Sequence, residues 1–181
     1  MTCIIGLVDG KNVWLGGDRA ATGGNLGRTL IKHPKIFTKS GIGIGVSGSS
    51  KVMDAIQHAI EFPKHEEGVA TKTFLVNDLI PAFREGLKKL DCLVEHHGQW
   101  YFHGALLIGY RGELHMVEGN FQLIESAREF DAIGSGAEPA LGSLRATRNE
   151  GPKKRILEAL KVSAENNAGV APPFDTLMVK G

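Results

Sequence analysis

The hydrophobic positions of this chain change period several times. Cys3 to Val8 is an apolar run that reads as a strand, Asp9-Gly10 is a hairpin signal, and Asn12 to Gly17 returns with Val13 and Leu15 on one face. After Asp18 comes a polar, Gly-rich loop, RAATGGNLGR. Ile36-Phe37 and Ile42 to Val46, joined through Ser40-Gly41, give a second hairpin. The period then lengthens. In SSKVMDAIQHAIEF, residues Val52, Met53, Ile56, Ala59 and Ile60 share a helical face, with Ser49 or Ser50 as N-cap. In TKTFLVNDLIPAFREGLKKLDCLVEH, the stripe Leu75, Val76, Leu79, Ile80, Phe83, Leu87, Leu90 predicts a longer helix, kinked at Pro81. Strands return at Tyr101 to Tyr110, Glu113 to Glu118, Phe121 to Glu125 and Phe130 to Ile133, with turns at Arg111-Gly112 and Gly119-Asn120. Helices over Glu138 to Thr147 and Pro152 to Asn167, then a strand over Phe174 to Val179, complete the pattern.

Hairpin strands in runs, alternating with helices in runs, predict an α+β fold rather than a parallel βαβ sheet. Two antiparallel sheets stacked face to face, with helices outside, would bury every apolar stripe. No linker, repeat or low-complexity tract divides the 181 residues, so residues 1–181 read as one domain.

Composition narrows the possibilities further. A net charge of +1 gives no basic surface for nucleic acid. Apolar stretches such as GALLIGY fall far short of the ~20 residues a membrane helix needs. The N-terminus has neither the charged nor the long apolar region of a secretory signal. Cys3 and Cys92 make no disulfide framework, so a reducing cytoplasm is expected. Gly43 to Gly48 fits G-x-G-x-x-G, with Glu61 downstream, but a dinucleotide site needs a βαβ unit that these hairpins do not offer. His96, His97 and His103 lack carboxylates or thiols at ligand spacing and read as loop and strand-edge histidines. Lys153-Lys154-Arg155 reads as a solvated helix face or a subunit contact.

The residue with the most distinctive chemistry is Thr2. Removal of Met1, which a small second residue permits, would leave a free α-amine and a β-hydroxyl on one residue. An α-amine titrates near ~7.7–8.0, so much of it is unprotonated at neutral pH. It can take the proton of its own hydroxyl, directly or through a water. Cys3, next along the strand, points to the opposite face and reads as a buried structural thiol.

Four stretches give this pairing a context. GGDRAATGGN, HPKIF, GIGVSGSS and AIGSGAEPALGSLRA together resemble the proteasome β-subunit and its bacterial relative HslV, which are N-terminal nucleophile hydrolases, and in particular the short leaderless members of bacteria and phages. The resemblance covers nearly the whole chain and is strongest over residues 2–60 and 130–148. It implies a four-layer αββα sandwich and a threonine-type hydrolase that cleaves peptide bonds without metal or organic cofactor. Thr2 matches the family nucleophile, Asp18 the acidic residue closing the second strand, and Lys35 the lysine whose ammonium lies near the nucleophile. The Asp18–Lys35 spacing is one residue longer than in the family, which makes Lys32 the alternative. Gly48 matches the oxyanion-hole glycine, at the start of the first helix, and Ser135 the serine near the N-terminal amine. Ala21 and Val46 match pocket positions and imply a modest apolar substrate group. Where the family has an aspartate near the end of the last helix, this chain has Asn167; Asp175 lies too far along, in the last strand. The family assembles rings of six or seven subunits, so a homo-oligomer acting on peptides or unfolded protein is implied. The sequence does not specify an ATPase partner. Two other readings are compatible with the pattern: a small-molecule amidase with the same machinery, and a non-catalytic assembly protein, favoured if Met1 stays in place.

Overall fold

The computed structural model describes residues 1–23 and 27–181. β1 (Ile4–Asp9) turns through Gly10 into β2 (Asn12–Asp18). β3 (Ala20–Thr22) and β4 (Arg28–Leu30) form a two-stranded ribbon within the stretch expected to be loop. β5 (Ile36–Lys39) and β6 (Ile42–Gly48) follow as the second hairpin.

The helices come next. α1 (Ser50–Asp54) widens into a π turn over Ala55–Ala59, where Ile60 N–H donates to Ala55 O at 2.9 Å. Ser49 holds the N-cap position, but its hydroxyl makes no capping bond. α2 (Thr71–Phe74), a π turn over Leu75–Leu79 and α3 (Ile80–Lys89) make up the long helix. Pro81 has no N–H to return to the preceding turn, and the chain responds by widening just before it rather than by breaking. The helix ends at Lys89, short of the expected His96. Asp91 takes φ +51°, and the chain turns into a hairpin of β7 (Leu93–His96) and β8 (Gln99–Phe102). The expected strand from Tyr101 to Tyr110 is thus two, broken at His103, with β9 spanning Gly104–Tyr110.

β10 (Glu113–Glu118) and β12 (Phe130–Ile133) have their expected limits, and β11 is shorter than expected, Leu123–Glu125. α4 (Ala137–Ala146) and α5 (Pro152–Asn166) precede β13 (Phe174–Val179).

The strands sort into two main antiparallel sheets. One has the order β12-β1-β2-β13, the other β11-β10-β9-β6-β5. Alternation along β1 shows why they stack. Ile4 points into a core shared with Val13, Leu15, Ile36 and Leu107, between the sheets. Cys3, Ile5 and Leu7 point the other way, onto Ala140 and Leu144 of α4 and Ile156 and Leu160 of α5. The outer face of the five-stranded sheet is covered by α1 to α3 through Val52, Ile56, Phe74, Leu79 and Phe83. The result is the four-layer αββα sandwich, held by three apolar seams. Arg155 corrects the sequence reading of its cluster. It is buried on the inner side of α5, donating from Nη2 to Leu144 O at 2.9 Å with its guanidinium over the Phe130 ring. Among the described residues, no helix is long and apolar enough to cross a membrane.

Candidate active site

Register places Thr2. Ile4 is paired with Gly17 on one side and Ile133 on the other, so the residues before it run out between the ends of β2 and β12. The Gly134-Ser135-Gly136 turn closes over them. Gly134 has φ +93°, and a side chain there would run into the Thr2 carbonyl. That carbonyl accepts from Gly136 N–H at 3.1 Å. Thr2 is thereby fixed from both sides and only 4 % exposed.

Asp18 closes β2 at the same end and is fully buried. Its Oδ1 accepts from Cys3 N–H at 2.9 Å, and its Oδ2 from Ala20 N–H at 2.8 Å and Ala171 N–H at 3.5 Å. These amides satisfy the oxygens of a side chain that has no access to water. Lys35, just before β5, is 6 % exposed and reaches the same point. Its Nζ donates to Asp18 Oδ1 at 2.9 Å, Thr2 Oγ1 at 2.8 Å and Ala20 O at 2.5 Å. All three hydrogens of the ammonium are therefore used. Burial pushes the Lys35 pKa below the ordinary lysine value, and the Asp18 carboxylate opposes that shift. Lys32 is not the alternative: it is exposed and contributes its carbonyl, to Arg19.

Ser135 lies on the other side of Thr2. Its Oγ accepts from Thr2 N–H at 3.3 Å and donates to Asn167 Oδ1 at 3.4 Å. Asn167, at the C-cap of α5, donates from Nδ2 to Ser135 O at 2.8 Å. Met1 leads into Thr2. Its carbonyl accepts from Thr2 Oγ1 at 2.5 Å, its amine donates to Thr22 Oγ1 at 3.1 Å, and its side chain packs on Gly169.

A cavity of about 140 Å³ opens beside Thr2 and Lys35, and Ala21, Val46 and Gly48 all line it. Gly48 has φ +97° where β6 runs beside β9, and a side chain there would collide with the His103 carbonyl. All the residues singled out from the sequence thus gather at one end of the sandwich, except that Asn167 touches Ser135 rather than Thr2.

Two features lay outside the sequence reading. Arg19 grips Asp175 with both a 2.6 Å and a 2.7 Å bond, and donates to Lys32 O at 2.6 Å. It ties β13 to the loop that delivers Lys35. An Arg–Asp pair 156 positions apart has no local sequence signal. Ile31 and Met53 also line the cavity, and they read from sequence as ordinary apolar residues. Cys3 sits on the opposite side from Thr2 with its Sγ near Ser163 Oγ and Gly136 O, and burial pushes its thiol up to about 11. It is not a nucleophile at neutral pH.

The arrangement joins a hydroxyl, a buried ammonium and a buried carboxylate beside a cavity. It can lower the cost of forming an alkoxide at Thr2, because the ammonium already donates to that oxygen. No family model matches the chain, and no curated protein matches it by sequence. Solved structures do match. BPH of Thiobacillus denitrificans in complex with epoxomicin is similar at TM-score 0.79 and 15 % identity, over 99 % of this chain and 98 % of that one. HslV from Trypanosoma brucei is similar at TM-score 0.68 and 20 % identity, over 99 % and 100 %. Anbu (ancestral beta-subunit) from Yersinia bercovieri is similar at TM-score 0.69 and 14 % identity, over 99 % and 81 %. In its layers, its sheet order and its whole-length match to these structures, the chain has the fold of the proteasome-like N-terminal nucleophile hydrolases.

Proposed function

We propose that this chain is a threonine-type N-terminal nucleophile hydrolase of amide bonds, with Thr2 exposed by removal of Met1. The observation that carries this reading is the 2.8 Å bond from Lys35 Nζ to Thr2 Oγ1, with Asp18 behind it at 2.9 Å. Thr2 Oγ1 attacks the substrate carbonyl and gives its proton to the freed α-amine. Gly48 N–H holds the oxyanion, a donor worth roughly 2.7–4 kcal/mol of barrier. Collapse to the Thr2 ester releases the amine product, and a water activated by the α-amine hydrolyses the ester. Ser135, already bonded to the Thr2 nitrogen, passes the proton to the leaving group. Ala21 and Val46 select a modest apolar group, in keeping with the small cavity. The substrate is peptide or unfolded protein, and the working form is a single-domain subunit in a cytoplasmic homo-oligomeric ring.

The test is intact-mass analysis after incubation with epoxomicin, the ligand of the similar Thiobacillus protein, on wild type and Thr2→Ala. Loss of the Met1 mass and an adduct that needs Thr2 are expected. An unmodified chain still carrying methionine would favour a non-catalytic assembly protein. One observation favours that second reading: Asn167 supplies no charge beside Ser135.

A further inference from the structure

We propose that His115 and Glu125 form a binding site for a divalent transition cation of the zinc class, with Glu113 orienting the imidazole. The site lies on the five-stranded sheet and is separate from the Thr2 cluster. His115 is in β10 and Glu125 in the edge strand β11, directly opposite it in the register; Glu113 is two positions before His115, on the same face. Ligand atoms from the three side chains all lie within 4.8 Å of one another.

The buried imidazole supplies the decisive observation. The His115 side chain is 1 % exposed, and its Nε2 is 3.1 Å from Glu113 Oε2. A carboxylate only accepts, so Nε2 carries the hydrogen, and in the neutral imidazole that a metal requires Nδ1 presents a bare lone pair. That Nδ1 is buried and has no hydrogen-bond partner. The group facing it is Glu125 Oε1 at 3.9 Å, too far for a hydrogen bond and itself an acceptor. Two acceptors facing each other across that gap fit a cation between them. Zinc takes histidine nitrogen at about 2.0–2.1 Å and carboxylate oxygen at about 2.0–2.2 Å, and water can fill the remaining positions. Glu113 then completes a carboxylate–histidine–metal relay, the usual way a ligating imidazole is fixed. Nitrogen and carboxylate together favour zinc, cobalt or nickel over magnesium or calcium.

Lys72 of α2 sets a limit on affinity. Its ammonium holds the other oxygen of Glu125, Oε2, at 3.0 Å, leaving Oε1 for the metal. This exposed cation competes by repulsion, so its removal should tighten the site. A bound ion would link β10 and the short edge strand β11, and would raise the thermal midpoint by mass action.

The experiment is calorimetric titration of the full chain with Zn²⁺ and with Co²⁺, the latter also followed by its visible absorption. One equivalent is expected to bind, with the intensified bands of a low-coordinate Co²⁺ site. Glu125→Gln, an exposed and nearly isosteric change, should weaken binding by about 10-fold or more; Glu113→Gln should weaken it by about 10-fold through the imidazole. Lys72→Gln should tighten it. A wild type with no saturable site at millimolar metal overturns the proposal. So does a Glu125→Gln chain that binds as tightly as wild type, which would place the ion on other histidines. An unchanged affinity in Glu113→Gln would overturn the orienting role of Glu113.

Discussion

At the residue scale, the site depends on a lysine whose three hydrogens are already committed. In the proposed hydrolysis, the α-amine freed at Thr2 must be neutral to accept a proton, while Lys35 must stay charged to favour the alkoxide. Burial pulls Lys35 below the ordinary lysine value, and the Asp18 carboxylate opposes that shift. The rate should therefore rise with pH through the amine and fall again as Lys35 loses its proton, on the alkaline side but earlier than a free lysine. A kcat/KM profile on a fluorogenic peptide checks this bell, and a flat alkaline limb would contradict it. Asp18→Asn leaves that ammonium without its buried partner and should cost about 3–5 kcal/mol of stability, read from the urea midpoint. Asn167→Asp replaces the Nδ2–H that donates to Ser135 O with a carboxylate oxygen facing that carbonyl, and should cost about 1–3 kcal/mol of stability, read from the urea midpoint.

At the element scale, the two sheets approach closely where Gly45 of β6 faces Ile4 of β1; a side chain at Gly45 would overlap the Ile4 side chain. Ile4 is two residues from Thr2, so spreading the sheets there also moves the hydroxyl away from Lys35. Gly45→Val should cost about 1–3 kcal/mol in denaturant unfolding and depress turnover beyond what stability explains. The strands flanking this contact were legible from their apolar alternation and turn residues, as were the limits of β10, β12 and β13. The same signals failed where elements are short or their period is ambiguous. LVEH continues the apolar spacing of the helix before it, yet forms β7, because the chain reverses at Asp91 through a positive φ that an Asp does not announce. AAT and RTL are too short and polar to declare a ribbon. In the site, the positions of Thr2, Asp18 and Lys35 were readable from flanking motifs, whereas the Arg19–Asp175 grip depends on how β13 pairs with β2 and has no local pattern.

At the scale of the whole molecule, the ring assembly proposed for this chain should appear in native mass spectrometry as one homo-oligomer of six or seven subunits or a stack of such rings; a monomer would point to the small-molecule amidase reading instead. The pairing around Asp18 has a temporal meaning as well. That carboxylate takes an amide from Cys3, near the first strand, and another from Ala171, just ahead of the last, and its own strand lies between the two. During synthesis Thr2 leaves the ribosome early, while β13 follows every other element. Until that strand docks, the carboxylate lacks part of its cradle and Arg19, which holds the loop bearing Lys35, lacks its Asp175 anchor. The hydrolytic competence proposed here is therefore the last property the growing polypeptide would acquire, and a prematurely released fragment would carry Thr2 without its completed surroundings.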